Sequence, residues 1–214
     1  VQAVGVHRAA AMVKEAWKFA LPPLVLALLA IAFGWKLVAA VLAVLAGFVL
    51  FFFRDPPREI PADPAAIVAP ADGRVMEIVE EAEQGHPGRR MSIFLSVLDV
   101  HVNRVPCTGR IGKIEYRPGK FLNAMRARAS VENEQNIVRI ETQHGPVVVK
   151  QIAGFIARRV LCWKQEGQIV QKGDKLGMIR FGSRVDLWLP TGAEFVVRPG
   201  QHVAGGASVV ARWE

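Results

Sequence analysis

Cysteine is scarce in this chain: Cys107 and Cys162 are the only two among 214 residues. They lie in different segments and form no CxxC pair, which excludes a disulfide scaffold and a zinc site and is compatible with reduced thiols. Tyrosine is scarcer still, with Tyr116 alone. The aromatics gather in one apolar segment instead of alternating with Arg or Lys. That distribution argues against a nucleic-acid surface, despite a formal net charge of +8. An anionic membrane surface or an anionic substrate remains open to so basic a protein.

Charge is what residues 21–53 lack. Two apolar runs, 21–35 and 37–53, are separated by Lys36 only. A 17-residue helix reaches roughly 25 Å, short of the roughly 30 Å hydrocarbon core, so each run is marginal as an independent span. The pair reads as a helical hairpin turning near Gly34-Trp35-Lys36, with a single long tilted helix and a shallow monotopic insertion as alternatives. The hairpin is preferred because it keeps Trp35 and Lys36 at an interface. Gly34-Trp35-Lys36 provides no small-x-small cleavage site and a second apolar run follows, so a removed signal peptide is the poorer reading. Basic residues on both flanks (Arg8, Lys14 and Lys18; Arg54 and Arg58) put both ends on the cytoplasmic face of the cell membrane.

The expected organisation is an N-terminal membrane-anchoring helical region over 1–55, a proline-rich linker over 56–66, and a β-rich domain over 67–214. Pro56, Pro57, Pro61 and Pro64 cannot continue a helix. Beyond them, strand-like runs cover 67–80, 91–97, 111–116, 137–141, 147–154 and 159–163, bounded by Gly, Pro and Asp. Residues 121–129 form the one plausible helix. Short, closely spaced strands predict a mainly β fold, a compact β-sandwich or barrel-sandwich-like domain. A short repeat supports this: residues 167–173 and 200–206 share the pattern G-x-x-V-x-x-G, with Leu176 and Val209 in matching places three residues on. Lipoyl- and biotinyl-type barrel-sandwich domains pair two such halves. Neither half here carries a modifiable lysine in the turn, so the repeat speaks to fold only.

Polar residues in apolar surroundings mark three segments. They are Pro70-Ala71-Asp72-Gly73, Asp99-Val100-His101-Val102-Asn103-Arg104-Val105-Pro106, and Phe181-Gly182-Ser183-Arg184. Each has an ordinary reading in isolation: a β-turn, a solvent-facing strand histidine, a Gly-Ser turn. Taken in order and spacing, and with Phe52-Phe53-Arg54-Asp55-Pro56 and Asn133-Glu134-Gln135, they resemble the phosphatidylserine decarboxylase family, above all its short branch. The resemblance covers nearly the whole chain.

The resemblance implies backbone scission between Gly182 and Ser183, leaving a large β chain and a small α chain that stay associated. Ser183 becomes a covalent pyruvoyl group, the cofactor, with no metal and no pyridoxal phosphate required. That group forms a Schiff base with phosphatidylserine and draws off electrons as carbon dioxide leaves, giving phosphatidylethanolamine. His101 is the expected base and proton donor, with Asp72 orienting it or stabilising its charge. Asp99, two residues before His101, shares its face if the segment is a strand. Arg104 and Arg184 are candidates for the lipid phosphate. The implied partners are phosphatidylserine, the lipid bilayer and a second copy in a homodimer, with no nucleic acid. Two departures stand out: Arg104 occupies the place of the second histidine in the H-x-x-H of the longer branch, and Phe-Gly-Ser-Arg replaces Leu-Gly-Ser-Thr. The competing readings are decarboxylation of a related serine-headgroup lipid such as archaetidylserine, and a non-enzymatic membrane-anchored barrel-sandwich adaptor.

Overall fold

The computed structural model describes residues 11–214 apart from 84, 124, 126–127, 155–158 and 181–182. The chain divides into two units, Val1–Pro57 and Arg58–Glu214.

In the first unit a short strand β1 (Ala11–Met12) pairs antiparallel with β2 (Arg54–Asp55), enclosing helices α1 (Ala16–Ala32) and α2 (Lys36–Phe52). Phe33, Gly34 and Trp35 make the turn between them, Gly34 with φ +76°. The expected hairpin is therefore the form adopted, and one long tilted helix is excluded. Its packing is inverted relative to a water-soluble helix pair. Ala16, Ala20, Ala27 and Ala30 of α1 and Ala39 and Ala46 of α2 are buried, whereas Leu28, Leu37 and Val44 are 68%, 79% and 73% exposed. Small residues let two backbones approach closely, and the large apolar side chains are left facing outward. Each helix has 17 residues, and among the described residues no helix is long and apolar enough to cross a membrane. The spanning form of the expected anchor is thus not met.

The second unit begins with β3 (Ala66–Val68), β4 (Gly73–Glu80), β5 (Gly88–Leu95), β6 (Val102–Arg104) and β7 (Gly109–Arg117). One helical turn α3 (Ala129–Glu132) precedes β8 (Gln135–Thr142), β9 (Gly145–Ala153), β10 (Val160–Cys162), β11 (Ile169–Val170) and β12 (Lys175–Ile179). The chain closes with β13 (Ser183–Pro190), β14 (Ala193–Phe195), β15 (His202–Val203) and β16 (Val209–Trp213). Eight strands form one antiparallel sheet in the order β11-β7-β8-β9-β13-β5-β4-β15, curled like half a barrel, and two three-stranded sheets, β10-β12-β6 and β14-β16-β3, complete the unit. The mainly β expectation holds. The helix expected over 121–129 is reduced to α3, which starts where that range ends; positions 124, 126 and 127 lie outside the described residues.

Period-two alternation builds the core. Met91, Ile93 and Leu95 of β5, Val185, Leu187 and Leu189 of β13, and Val147 and Val149 of β9 fall on one face and pack into a single apolar cluster. The repeat is structural as well as sequential. Its two copies place β11 and β15 at opposite edges of the large sheet, and Gly167, Gly173, Gly200 and Gly206 all have φ between 78° and 90°, where a Cβ is disfavoured.

Candidate functional site

Five strands of the large sheet stop or start together at one end. Ser183 opens β13, opposite Leu95 at the end of β5 and Ala153 at the end of β9. Gln135 opens β8 opposite Ile152, and Gly73 opens β4 opposite Val203. The loops holding Asp72 and residues 96–101 emerge here. Gly73 is where glycine is obligatory: at φ +141° a Cβ would lie 2.1 Å from the Phe94 carbonyl oxygen. Any side chain would pry β4 from β5 beside Asp72.

Ser183 is fully buried, and its Oγ makes no hydrogen bond among the described residues. A buried hydroxyl without a partner forfeits its solvation and gains nothing structural, so its retention points to chemistry. β13 is buried along its whole length and hydrogen-bonded on both sides, which fixes where residue 183 sits. Gly182, the other half of the expected scission site, lies outside the described residues.

His101 is also fully buried. Asp99 does not share a strand face with it. Residues 96–99 form a turn, closed by Asp99 N–H to Ser96 O (3.0 Å) and Ser96 N–H to Asp99 Oδ2 (2.8 Å). This turn brings the Asp99 main-chain carbonyl 3.0 Å from His101 Nδ1. A carbonyl only accepts, so Nδ1 carries a proton, and whenever the ring is neutral the lone pair is on Nε2, the form a general base requires. Ile179 N–H reaches the His101 carbonyl at 3.4 Å, tying the histidine to the strand that leads into Ser183. Asp99 Oδ1 meets His202 Nε2 at 3.0 Å. Burial pushes the Asp99 carboxyl up, but the Ser96 and His202 hydrogen bonds outweigh it and hold the group below its ordinary value.

Asp72 sits in the turn between β3 and β4 with 7% of its surface exposed. Its carboxylate accepts from Arg58 Nη2 at 2.9 Å to both oxygens and from the Gly205 N–H at 2.8 Å. Burial raises its carboxyl above the ordinary value, against the pull of Arg58 and Gly205, with Asp99 adding a smaller push upward. The ring of His101 is thus oriented by a main-chain carbonyl, while Asp72 holds Arg58.

Arg184 is 2% exposed. It grips Asp186 through Nε (2.6 Å) and Nη2 (3.1 Å), and Nη2 also reaches Ser92 Oγ (2.7 Å) and Glu77 Oε1 (3.3 Å). Buried in this network, it is held by Asp186, Ser92 and Glu77 and is not presented at the surface. Arg104 donates to the Gly173 carbonyl at 3.2 Å.

The Asn133-Glu134-Gln135 stretch braces the same end. Asn133 Nδ2 donates to the Ala153 carbonyl at 2.7 Å, and Ala153 N–H donates to the Glu134 carbonyl at 2.9 Å. Ala153 is the cross-strand neighbour of Ser183, so this brace sets the floor beneath the serine. A cavity of about 680 Å³ lies at the opposite end of the sheet, lined by Glu141, Thr142, His144, Lys172 and Trp213, away from these groups.

A family model described as phosphatidylserine decarboxylase matches residues 45–211, which include Asp72, His101 and Ser183. The chain belongs to the phosphatidylserine decarboxylase family. A phosphatidylserine decarboxylase proenzyme of Magnetococcus marinus is 44% identical over 205 residues, 93% of this chain and 94% of that protein. One from Solibacter usitatus is 49% identical over 176 residues (82% and 84%), and one from Symbiobacterium thermophilum is 45% identical over 203 residues (93% and 94%). Within this decarboxylase, sequence reasoning passed over Asn103, Gln151, Asn136 and His202. The signal for Asn103 was present: it lies two residues beyond His101, and residues two apart in an extended segment face the same way.

Proposed function

We propose that this chain is a self-processing proenzyme whose mature form decarboxylates phosphatidylserine to phosphatidylethanolamine, with residue 183 as the reacting centre. The observation that carries the reading is a fully buried Ser183 hydroxyl with no hydrogen bond among the described residues, heading a strand locked on both sides. Processing needs only this chain's own groups. The lone pair on His101 Nε2 takes the Ser183 proton, and Oγ attacks the preceding carbonyl carbon. The C–N bond then breaks, giving an ester and a free amine at residue 183. Loss of the α-proton expels the carboxylate of residue 182 and leaves a dehydroalanine. Its enamine tautomerises to the imine, and water releases ammonia to leave a pyruvoyl group. When present, that group supplies a carbonyl to engage the substrate amine and an electron sink as carbon dioxide departs. The pairing of β13 with β9 and β5 supports retention of the 183–214 piece in the sheet after scission.

The helical hairpin is assigned to the bilayer surface as a shallow, monotopic insertion. Its alanine seam and outward Leu, Val, Ile and Phe suit lipid rather than water, and its length suits partial entry. Lys14, Lys18 and Arg54 at its base favour an anionic, cytoplasmic face, by about 1 kcal/mol for each residue near the surface. A two-chain lipid stays in its bilayer, so the enzyme must come to it.

The test is the intact mass of the purified protein under denaturing conditions, with the Ser183→Ala variant alongside. Two species are expected from the wild type, one ending at Gly182 and one beginning with a blocked residue 183. The variant should be a single chain releasing no carbon dioxide from phosphatidylserine vesicles. A single uncut chain from an active wild-type preparation refutes the reading and leaves the adaptor in its place.

A further inference from the structure

Three buried amides form a directed relay at the Ser183 end of the sheet. Asn136 Nδ2 donates to Gln151 Oε1 at 3.0 Å, and Gln151 Nε2 donates to Asn103 Oδ1 at 2.8 Å. Asn136 is 4% exposed, and Gln151 and Asn103 are fully buried. The direction of the relay is fixed by a group that can only accept. Gln151 Nε2 also points at the Leu161 carbonyl, 3.4 Å away, so that end of the Gln151 amide must be nitrogen. Asn103 must then present oxygen to Gln151 and turn its NH₂ the other way. There Nδ2 is buried and makes no hydrogen bond among the described residues.

A buried amide donor without an acceptor bears the full desolvation cost with no return, and a relay that enforces that state makes it deliberate. The register shows what it serves. Gln151 lies opposite Val185, one same-face position along β9 from the Ala153–Ser183 pair. Asn103 lies two residues beyond His101, on the strand paired with β12, which runs on towards Ser183. The unsatisfied donor, the unsatisfied hydroxyl and the base therefore belong to one corner.

We propose that the Asn103 side-chain amide is the oxyanion donor for self-processing. This rests on the scission at Ser183 proposed above. As Oγ bonds to the preceding carbonyl carbon, the carbonyl π pair moves onto its oxygen, while the hydroxyl proton passes to His101. Asn103 Nδ2–H donates to that oxygen only once it carries charge. When the pair returns, the C–N bond breaks and the amine takes the proton. A neutral donor already held by two other amides costs no reorganisation at the moment of reaction.

The test follows scission in time after a pulse of cell-free synthesis, by denaturing gel and mass, with and without hydroxylamine, which cuts the ester. Asn103→Asp keeps the oxygen that Gln151 needs and replaces the donor. It should fold with a lowered melting temperature, because a carboxyl replaces a neutral amide in a buried site, and slow scission by roughly a hundred- to a thousandfold, with no rescue by hydroxylamine, because the ester does not form. Asn103→Ser, smaller and easily accommodated, should slow scission at least tenfold and guards against misfolding of the aspartate variant. Wild-type scission in either variant, or scission restored to the wild-type rate by hydroxylamine, overturns the proposal. A wild-type chain that never cuts refutes the proposed function instead.

Discussion

Asp72 has two separable duties, and a small set of substitutions pulls them apart. Its side chain is 11% exposed and that of Arg58 13%, with 2.9 Å between them. Asp72→Asn keeps an oxygen for the Gly205 N–H but removes the charge that faces Arg58. Stranding one partner of a buried pair costs about 3–5 kcal/mol. The residual exposure lets Arg58 recover some water, and the amide escapes the burial that pushes the carboxyl up, so the net loss is held to about 1–2 kcal/mol. Urea unfolding should register this as a lower midpoint at unchanged slope. Asp72→Asn with Arg58→Met removes both charges while keeping an acceptor for the Gly205 N–H, and should return stability to within about 1 kcal/mol of the wild type. If Asp72 also supports self-processing through its charge, both variants remain largely uncut, the double one despite its restored stability. Scission of Asp72→Asn at the wild-type rate would show that the carboxylate is only a counter-ion, and its place in the site would fall. The pH dependence has a definite sign. Burial holds the Asp72 carboxyl above its ordinary value. Its contribution to stability is therefore fully present below the unfolded value and is lost as pH rises through the folded one. Arg58→Met removes the largest opposing pull, so the upper edge of this window moves to higher pH.

Two further outcomes are expected. Burial pushes the Cys107 thiol up to about 12, whereas Cys162 is only partly buried. At pH 8 the Cys107 thiolate fraction is then on the order of 10⁻⁴. A chromogenic disulfide should titrate one thiol rapidly and the second only in denaturant; two rapid thiols would contradict the packing around Cys107. On the hairpin, Leu28→Glu with Val44→Glu alters two outward positions, 68% and 73% exposed. Each charge costs a few kcal/mol in hydrocarbon and little in water, so flotation with anionic vesicles should drop at least tenfold while the melting temperature of the β unit holds. Undiminished flotation would remove the hairpin from the membrane contact.

What the chain's order alone determined was the local and the periodic. Lys36 and Gly34 between two uniform apolar runs specify a hairpin, because a charge and a flexible turn residue are tolerated together only at a tip. The alternation in β5, β8 and β9 reads as strands because one face is apolar and the other is not. Three short polar segments in apolar surroundings mark the site, since such residues are costly to bury without a use. β13 escaped notice for the converse reason: Arg184 and Asp186 are buried against each other, with Glu77 of β4 and Ser92 of β5 completing the network, and hydropathy does not see a charge neutralised by its partners. Only the tertiary structure could decide that His101 is oriented by the Asp99 carbonyl and that Asp72 belongs to Arg58. Those partners are chosen by how a turn and a sheet end meet, not by sequence spacing. The same holds for Asn103, whose sequence neighbours say nothing of Gln151, 48 residues away. Its unsatisfied donor exists because strand pairing aligns three amides in one direction, a property of the register and of no single residue.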